Sequence, residues 1–193
     1  DKISHRGPDS EGFFIKNNIA LAHKRLSILD TSINGSQPMS SKTNKWTIVF
    51  NGCIYNFAEL KEELKSKGHV FKSKTDTEVI CEGLDEYGTS FFERLNGMFA
   101  IAAWNKREKQ LYLSRDRFGI KPLYYWFNGN TLCFASEIKA IIEHPDYKID
   151  VDLNALNVVY AFLYVYISFY TDVFMRFLSG LFRRAGLSGS EWV

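Results

Sequence analysis

The segment of this chain that most suggests chemistry is Val49-Phe50-Asn51-Gly52-Cys53-Ile54-Tyr55-Asn56, where an apolar run meets an amide side chain and a glycine. The side-chain NH2 of Asn51 and the backbone N–H of Gly52 can point at one place, and two such donors can stabilise the oxyanion of acyl transfer. The same residues also fit a strand that stops at a turn, with Gly52 as the permissive residue and Asn56 as the cap of the next helix. Both interpretations are open on local sequence alone.

Two charged residues elsewhere could bind the charged ends of a small ligand. Arg25 begins the otherwise apolar stretch Arg25–Asp30, and a cation there needs an anionic partner. That partner could be a ligand or a protein carboxylate such as Asp9. Asp76 stands at the predicted start of a helix, where a carboxylate is first an N-cap and secondly a group that could hold an ammonium.

Composition excludes several classes of protein. The 193 residues are 46% hydrophobic and 24% charged, which predicts one globular domain with its own core. A net charge of +2, with the basic residues spread out, does not imply a nucleic-acid partner. Three widely spaced cysteines, Cys53, Cys81 and Cys133, indicate a reducing compartment rather than a disulfide framework. They form no metal-binding spacing with the four histidines, so we expect no metal site.

Hydrophobic periodicity and turn residues predict alternating strands and helices. The predicted strands are Gly12–Lys16, Ile19–His23, Arg25–Asp30, Lys45–Phe50, and an antiparallel meander of Met98–Trp104, Gln110–Ser114, Pro122–Phe127 and Thr131–Ala135. The predicted helices are Phe57–Lys67, Thr75–Tyr87, Phe91–Leu95 and Ser136–Glu143.

The C-terminal segment has a different character. Asn157–Thr171 carries no charge, but Asp172 and Arg176 follow it, and a bilayer span needs about 20 mostly apolar residues. A membrane segment is therefore not favoured. We assign residues 1–152 to one domain and 153–193 to a linker or a divergent tail.

Seven motifs occur in an order that resembles the class II glutamine amidotransferase domain of glutamine-hydrolysing asparagine synthetases, over about residues 1–157. They are His5-Arg6-Gly7-Pro8-Asp9-Ser10, Arg25-Leu26-Ser27-Ile28-Leu29-Asp30, Asn51-Gly52-Cys53-Ile54-Tyr55-Asn56, Thr75-Asp76-Thr77-Glu78-Val79-Ile80, Leu95-Asn96-Gly97-Met98-Phe99-Ala100, Arg115-Asp116-Arg117-Phe118-Gly119-Ile120-Lys121-Pro122-Leu123-Tyr124-Tyr125 and Phe134-Ala135-Ser136-Glu137-Ile138-Lys139-Ala140. Seven ordered matches are far more specific than any one of them.

The resemblance implies an α+β fold of the N-terminal-nucleophile type, a four-layer αββα sandwich of two antiparallel sheets, here incomplete at the N-terminus. It implies hydrolysis of L-glutamine to glutamate and ammonia, without a cofactor in this domain. In the parent enzyme the ammonia would reach a C-terminal synthetase domain that activates aspartate with ATP and Mg2+. A cytoplasmic location and a homodimeric parent are also implied.

The resemblance also implies roles for particular residues. Arg25 would hold the α-carboxylate of glutamine, and Asp76 its α-ammonium. The side chain of Asn51 and the N–H of Gly52 would form the oxyanion hole. Backbone of the residues after Arg25 would line the same wall: Leu26, Ser27, Ile28 and Leu29.

Three departures from the family limit this assignment. The family nucleophile is an N-terminal cysteine that uses its own α-amine as base, and this chain starts beyond the strand that carries it, so the fragment is expected to be inactive alone. Cys53 stands where the family usually has a Glu that helps hold the substrate ammonium, so it should weaken glutamine binding. As a substitute nucleophile, Cys53 would need a base, and none is evident. Beyond Asn157 no pyrophosphate-binding Ser-Gly-Gly-Leu-Asp-Ser loop follows.

Three alternatives remain open at this stage. An amidotransferase could deliver ammonia to another acceptor, such as a sugar in polysaccharide synthesis. Cys53 and the absent nucleophile would also fit a non-catalytic glutamine-binding module. A membrane-tethered protein rests only on residues 157–182.

Overall fold

The structure is a computed structural model and describes residues 2–27, 32–148, 153–154 and 156–164 of the chain. Two compact units are distinguished, Asp1–Tyr147 and Lys148–Val193. In the second unit, residues 153–154 and 156–164 are helical. The domain boundary after residue 152 remains a prediction, and the elements described below belong to the first unit.

Eight strands and three α-helices make up the regular structure of this unit. The strands are β1 (Ser10–Lys16), β2 (Ile19–Arg25), β3 (Met39–Ser40), β4 (Trp46–Ile54), β5 (Gly97–Asn105), β6 (Gln110–Arg115), β7 (Tyr124–Phe127) and β8 (Leu132–Ala135). The helices are α1 (Phe57–Ser66), α2 (Asp76–Tyr87) and α3 (Ile138–Ile141), with 3-10 turns at Ser4–Arg6, Ile33–Gly35 and Gly88–Arg94.

All the described strand pairs are antiparallel. The central sheet has the order β3-β4-β5-β6, while β1-β2 and β7-β8 are separate hairpins. The first hairpin joins the two predicted strands through Asn17-Asn18, with Asn17 at a positive φ of 52°. This arrangement of antiparallel strands and helices confirms the α+β class.

The predicted four-strand meander is wrong, because β6 does not pair with β7. A compact loop separates them. Asp116 accepts the backbone N–H groups of Ile120 (2.8 Å) and Lys121 (2.9 Å). Arg115 donates to the carbonyls of Gly119 (2.5 Å) and Lys121 (2.7 Å). These bonds satisfy the backbone locally, so the chain leaves the central sheet before β7 begins.

Helices α1 and α2 pack on one face of the central sheet. Side chains alternate along a strand, and those of Ile48, Phe50 and Ile101 join the helices in one buried cluster. The helices contribute apolar residues from their inward faces: Leu60 and Leu64 on α1, and Val79, Ile80 and Leu84 on α2. Cys81 is buried in the same cluster, as expected for an inert core thiol.

The strand that carries Asn51 does not stop there, so the predicted turn at Asn51-Gly52 is wrong. β4 continues to Ile54, in unbroken register with β5, and Gly52 lies opposite Phe99. The pairing continues because β5 offers a full-length partner, which local sequence could not reveal. Asn56 is the N-cap residue of α1 by position, but its side chain binds the backbone of Arg94 and Asn96 instead of capping.

Two further helix predictions need correction. Thr75, not Asp76, caps α2: its hydroxyl accepts the N–H of Glu78, and Asp76 is already helical. This leaves the Asp76 carboxylate for another partner. The predicted third helix is a 3-10 segment, Gly88–Arg94, which follows α2 directly.

No helix within the described ranges is both long enough and apolar enough to cross a bilayer. The uncharged run 157–171 lies outside the described residues from position 165 onward.

His69 joins three segments through two carboxylates. Its Nδ1 lies 2.8 Å from Glu82 and its Nε2 lies 3.3 Å from Glu86. Glu82 is buried on α2 and also accepts the N–H of Lys42 (3.0 Å), while Glu86 pairs with Lys67. Burial tends to lower the pKa of His69, but its hydrogen bonds to the two carboxylates outweigh this and raise it.

Stability should therefore depend on the charge of His69. Since its pKa is raised on folding, the protonated form stabilises the fold below the unfolded-state value of about 6.5. That contribution is lost as the pH rises through the higher folded-state pKa. We expect the free energy of unfolding in urea to fall more for wild type than for His69→Gln between about pH 6 and pH 8.5. His144→Gln controls for loss of an imidazole, and a difference that stays constant or grows with pH would contradict the prediction.

Candidate functional site

A groove of about 720 Å³ lies on the sheet face opposite α1 and α2. It is lined by β2 and β8, by α3, and by the side of β4 and β5 that faces away from the helices. Small side chains from β2 and β5 leave much of its space open: Ala20, Ala22, Ala100 and Ala102. A second chain segment has room between the two hairpins.

Asn51 presents an unused donor to this groove. It lines the groove on β4, and its Nδ2 is buried without a hydrogen-bond partner among the described residues. Nδ1 of His23, on β2, has the same property. Burial lowers the pKa of His23, against the opposing effect of a hydrogen bond to the Phe50 backbone. A buried donor without a partner costs about 1–3 kcal/mol, so an acceptor bound at Asn51 would be favoured.

The backbone N–H of Gly52 points out of the central sheet. In an antiparallel pair, opposed residues either exchange both backbone bonds or direct both outward. Phe99, opposite Gly52, uses its N–H and C=O on Asp116 (3.2 and 2.8 Å). Gly52 and Phe99 are therefore an outward-directed pair, and the N–H of Gly52 faces the other edge of β4.

Along this edge of β4, the outward-directed N–H groups before and after that of Gly52 belong to Phe50 and Ile54, and both donate to side chains. The N–H of Phe50 donates to Oε1 of Gln37 (2.7 Å), and the N–H of Ile54 donates to Oδ2 of Asp76 (3.0 Å). No acceptor among the described residues is seen for the N–H of Gly52, which lies between them. Two adjacent residues of β4, Asn51 and Gly52, thus offer one open donor each.

Only glycine fits at position 52. A Cβ there would overlap the carbonyl oxygen of Met98 and lie 2.8 Å from the Phe50 ring. The close approach of β4 to β5 therefore depends on the missing side chain.

Arg25 and the start of α2 meet around Gly35. The guanidinium of Arg25 is buried and donates to the carbonyl of Ser32 (2.9 Å). A Cβ on Gly35 would overlap Nη2 of Arg25 and lie 3.0 Å from Cγ2 of Thr75. The structure thus brings the predicted cation beside the residue that precedes Asp76.

Asp76 is buried at the first position of α2. Burial raises its pKa, although the N–H groups of Ile54 and of the helix start oppose the shift. Because Ile54 closes the strand that holds Asn51 and Gly52, this bond joins the carboxylate to the candidate oxyanion site.

Cys53 follows Gly52 and is partly buried. Burial and the nearby Asp76 carboxylate raise the pKa of the thiol, and Lys121 opposes them only in part. The environment therefore disfavours the thiolate that a nucleophile would need.

The remaining predicted wall residues are only partly described. Leu26 is exposed, and the N–H of Ser27 donates to the Asp9 carboxylate (2.7 Å). The N–H of Asp9 in turn donates to the carbonyl of Arg25 (3.1 Å). Ile28 and Leu29 lie outside the described residues.

Two motifs that are distant in sequence meet at Glu137. Its carboxylate binds Lys139 (2.9 Å), His5 (2.8 Å) and Arg6 (3.1 Å). Lys139, then Arg6 and His5, lower the pKa of Glu137 to about 2 despite partial burial. Arg6 also lines the groove, so this cluster holds the N-terminal loop against its rim.

Three residues at the site carry no distinct sequence signal. Gln37 and Gly35 lie in a polar segment between β2 and β4 to which no role was assigned from the sequence. Asp116 lies in one of the seven motifs, but its contact with Phe99 was not predicted. Each contact joins segments that are far apart in sequence.

We expect Gly52→Ala to lower the free energy of unfolding by about 1–3 kcal/mol, the usual effect of overpacking. The backbone carbonyl of Met98 cannot move aside as a flexible side chain could. Urea denaturation measures the change, and the neighbouring Cys53→Ala, which adds no atoms, is the control. A Gly52→Ala protein as stable as Cys53→Ala would contradict the described approach of β4 to β5.

Comparison with known proteins identifies the family to which the chain is similar. The family model described as a glutamine amidotransferase domain matches residues 1–185. Asparagine synthetase [glutamine-hydrolyzing] 3 of Bacillus subtilis is 39% identical over 162 residues, covering 83% of this chain and 26% of the relative. Asparagine synthetase [glutamine-hydrolyzing] 2 of the same organism is 46% identical over 145 residues, covering 75% of this chain and 19% of the relative.

A solved structure is also similar. Glutamine phosphoribosylpyrophosphate amidotransferase from B. subtilis matches with a TM-score of 0.54 and 26% identity, over 63% of this chain and 28% of that one. The match confirms the predicted N-terminal-nucleophile type of fold. This chain spans about a quarter of the length of the asparagine synthetase that it matches over 162 residues. It belongs to the glutamine amidotransferase domain family.

Proposed function

We propose that this chain is the glutaminase domain of an asparagine synthetase-like enzyme, which hydrolyses glutamine to glutamate and ammonia. The observation that carries the proposal is the pair of open donors, Nδ2 of Asn51 and the N–H of Gly52, on adjacent residues. Opposite charges for an amino-acid head lie nearby, on Arg25 and on Asp76, which is bonded to the end of the same strand.

Each charged end of glutamine has a complementary group. The planar guanidinium of Arg25 suits a bidentate carboxylate. Asp76 would take the α-ammonium, and that cation would lower the carboxylate pKa that burial raises. Leu26 to Leu29 would line the wall beside Arg25, and the donors of Asn51 and Gly52 would receive the negative charge that develops on the γ-carbonyl oxygen.

The nucleophile would come from outside residues 1–193. A strand placed between β2 and β8 would fill the groove, where small side chains leave backbone-sized space. The α-amine of an N-terminal cysteine on that strand would take the thiol proton as the sulfur attacks the amide carbon, and would return it to the leaving nitrogen, so that the C–N bond breaks and ammonia leaves. Water would then hydrolyse the thioester to glutamate and restore the thiol. The raised pKa of the Cys53 thiol argues against Cys53 in this role.

The ammonia would serve an acceptor held by the rest of the parent protein. We propose aspartate, activated with ATP and Mg2+ in a synthetase portion, on the ground that several curated relatives are named asparagine synthetases. No cofactor is proposed for the glutaminase step. The parent would be a cytoplasmic homodimer, in line with the reducing compartment that the cysteine spacing indicates.

The test is to restore the nucleophile. The chain is extended with the Met-Cys-led N-terminal segment of a B. subtilis relative, and glutamate release from glutamine is measured. We expect turnover that is lost when the new N-terminal Cys is replaced by Ala. Asn51→Ala should lower kcat by about 10²–10³ with little change in KM, the usual effect of removing an oxyanion donor. Asn130→Ala, in the exposed β7-β8 turn, is the matched control.

Cys53→Glu in the extended protein should lower the KM for glutamine, because a second carboxylate beside Asp76 would attract the ammonium. Cys53→Gln has the same size without the charge and should not. A folded extended protein that binds glutamine without turnover would overturn the glutaminase proposal and favour a binding module. Equal KM values for the Glu and Gln variants would exclude the role given to position 53.

A further inference from the structure

The side-chain amide of Gln37 forms hydrogen bonds with two elements of the site, β4 and α2. Its Oε1 accepts the N–H of Phe50 (2.7 Å), and its Nε2 donates to the carbonyl of Phe50 (3.2 Å). The same Nε2 donates to Oγ1 of Thr77 (3.3 Å). The side chain therefore takes both backbone bonds of one β4 residue, as a neighbouring strand would.

The contact between Gln37 and Phe50 lies where β3 ends and no longer supplies hydrogen-bond partners to the outer edge of β4. β3 pairs with β4 only at Met39–Ile48 and Ser40–Thr47. The next outward-facing residue, Phe50, would be open without Gln37. The Gln37 amide binds the N–H and the C=O of Phe50 but does not reach Gly52. The N–H of Gly52 therefore remains available to a ligand.

The other end of the amide reaches the substrate-head side of the site. Thr77 is buried and follows Asp76, whose carboxylate accepts the N–H of Ile54. Gln37 and Asp76 thus hold the outward groups on either side of Gly52. Through Thr77, Gln37 also ties the strand to the helix that carries Asp76.

We propose that Gln37 is a positioning residue for glutamine hydrolysis: it holds β4 so that the donors of Asn51 and Gly52 keep their places relative to Asp76. The inference rests on the proposed glutaminase function and extends it to a residue that touches neither substrate nor nucleophile. Misplacement of about 1 Å at a catalytic group can cost about 10²-fold in rate, so a small shift of β4 is enough to matter.

The test variant is Gln37→Met, which keeps the length of the side chain and removes its three hydrogen bonds. In the N-terminally extended protein we expect kcat to fall about tenfold to a hundredfold, with KM for glutamine changed less than about threefold. Gln110→Met is the matched control, since Gln110 is exposed on β6 and its side chain bonds Tyr112. A purely structural role would lower the melting temperature but leave kcat per folded molecule equal to that of the control.

A second readout uses the 193-residue chain itself. The Asn51 side-chain amide signals in a 1H–15N spectrum should shift in Gln37→Met and stay in place in Gln110→Met. Hydrogen exchange at the Phe50 N–H should become faster. Unchanged Asn51 signals would overturn the proposal even if the melting temperature falls.

The outcomes separate this inference from the proposed function. If the extended wild type shows no turnover, the glutaminase proposal fails, and the Asn51 signals still decide whether Gln37 positions that side chain. If wild type is active and Gln37→Met keeps the kcat of Gln110→Met, the positioning role is wrong and the glutaminase function stands. Should Gln37→Met not fold, Thr77→Val cuts only the bond to α2, and we expect kcat to fall about threefold or more, with KM for glutamine changed less than about threefold; a kcat equal to that of wild type would overturn the link.

Discussion

The outer edge of β4 is the constraint on which the site depends. Each outward backbone group on a strand edge needs a partner, since a buried N–H or C=O without one is costly. Here the partners change along the edge, from the short strand β3 to the amide of Gln37 and then to the carboxylate of Asp76. Between the last two, the N–H of Gly52 has no acceptor among the described residues.

Opposite charges are buried in the same part of the fold. Arg25 is buried against Gly35 and the carbonyl of Ser32, while Asp76 is buried against the end of β4. Burying a charge in a medium of low polarity is unfavourable unless hydrogen bonds compensate, and backbone groups do so here. Under the proposed function, Arg25 and Asp76 would bind the carboxylate and the ammonium of an amino-acid head, both of which a simple amide lacks.

Two carboxylates, those of Asp116 and Glu137, hold loops in place around the site. Asp116 collects N–H groups from its own loop and from Phe99, which directs the Gly52–Phe99 pair outward. Glu137 gathers the cations of the N-terminal loop at the groove rim. The contacts of Asp116 with Phe99 and of Glu137 with Arg6 join segments that are distant in sequence, so they set positions rather than supply chemistry. Cys53 differs from both, since burial and the nearby Asp76 carboxylate raise the pKa of its thiol and favour the protonated form.

Much of the fold followed from periodicity and composition. The β1-β2 hairpin, the central strands and helices α1 and α2 were predicted, because alternation, capping residues and terminal glycines are local signals. Asn51-Gly52, Arg25 and Asp76 were singled out as candidate site residues, because paired donors, a guanidinium and a carboxylate can each bind a charged group; their roles toward glutamine followed from the family resemblance. The turn at Asn51, the cap at Asp76 and the meander through β7 were wrong, since each depended on a partner elsewhere in the chain.

The sequence by itself determined which residue types are available for the chemistry and, through the ordered motifs, the family to which the chain belongs. Only the tertiary structure decided that Gly52 faces an open edge, that Gln37 closes the position before it and that Asp76 binds the end of the same strand. The physical reason is that hydrogen-bond direction at a strand edge depends on pairing register, and register depends on which distant segments meet.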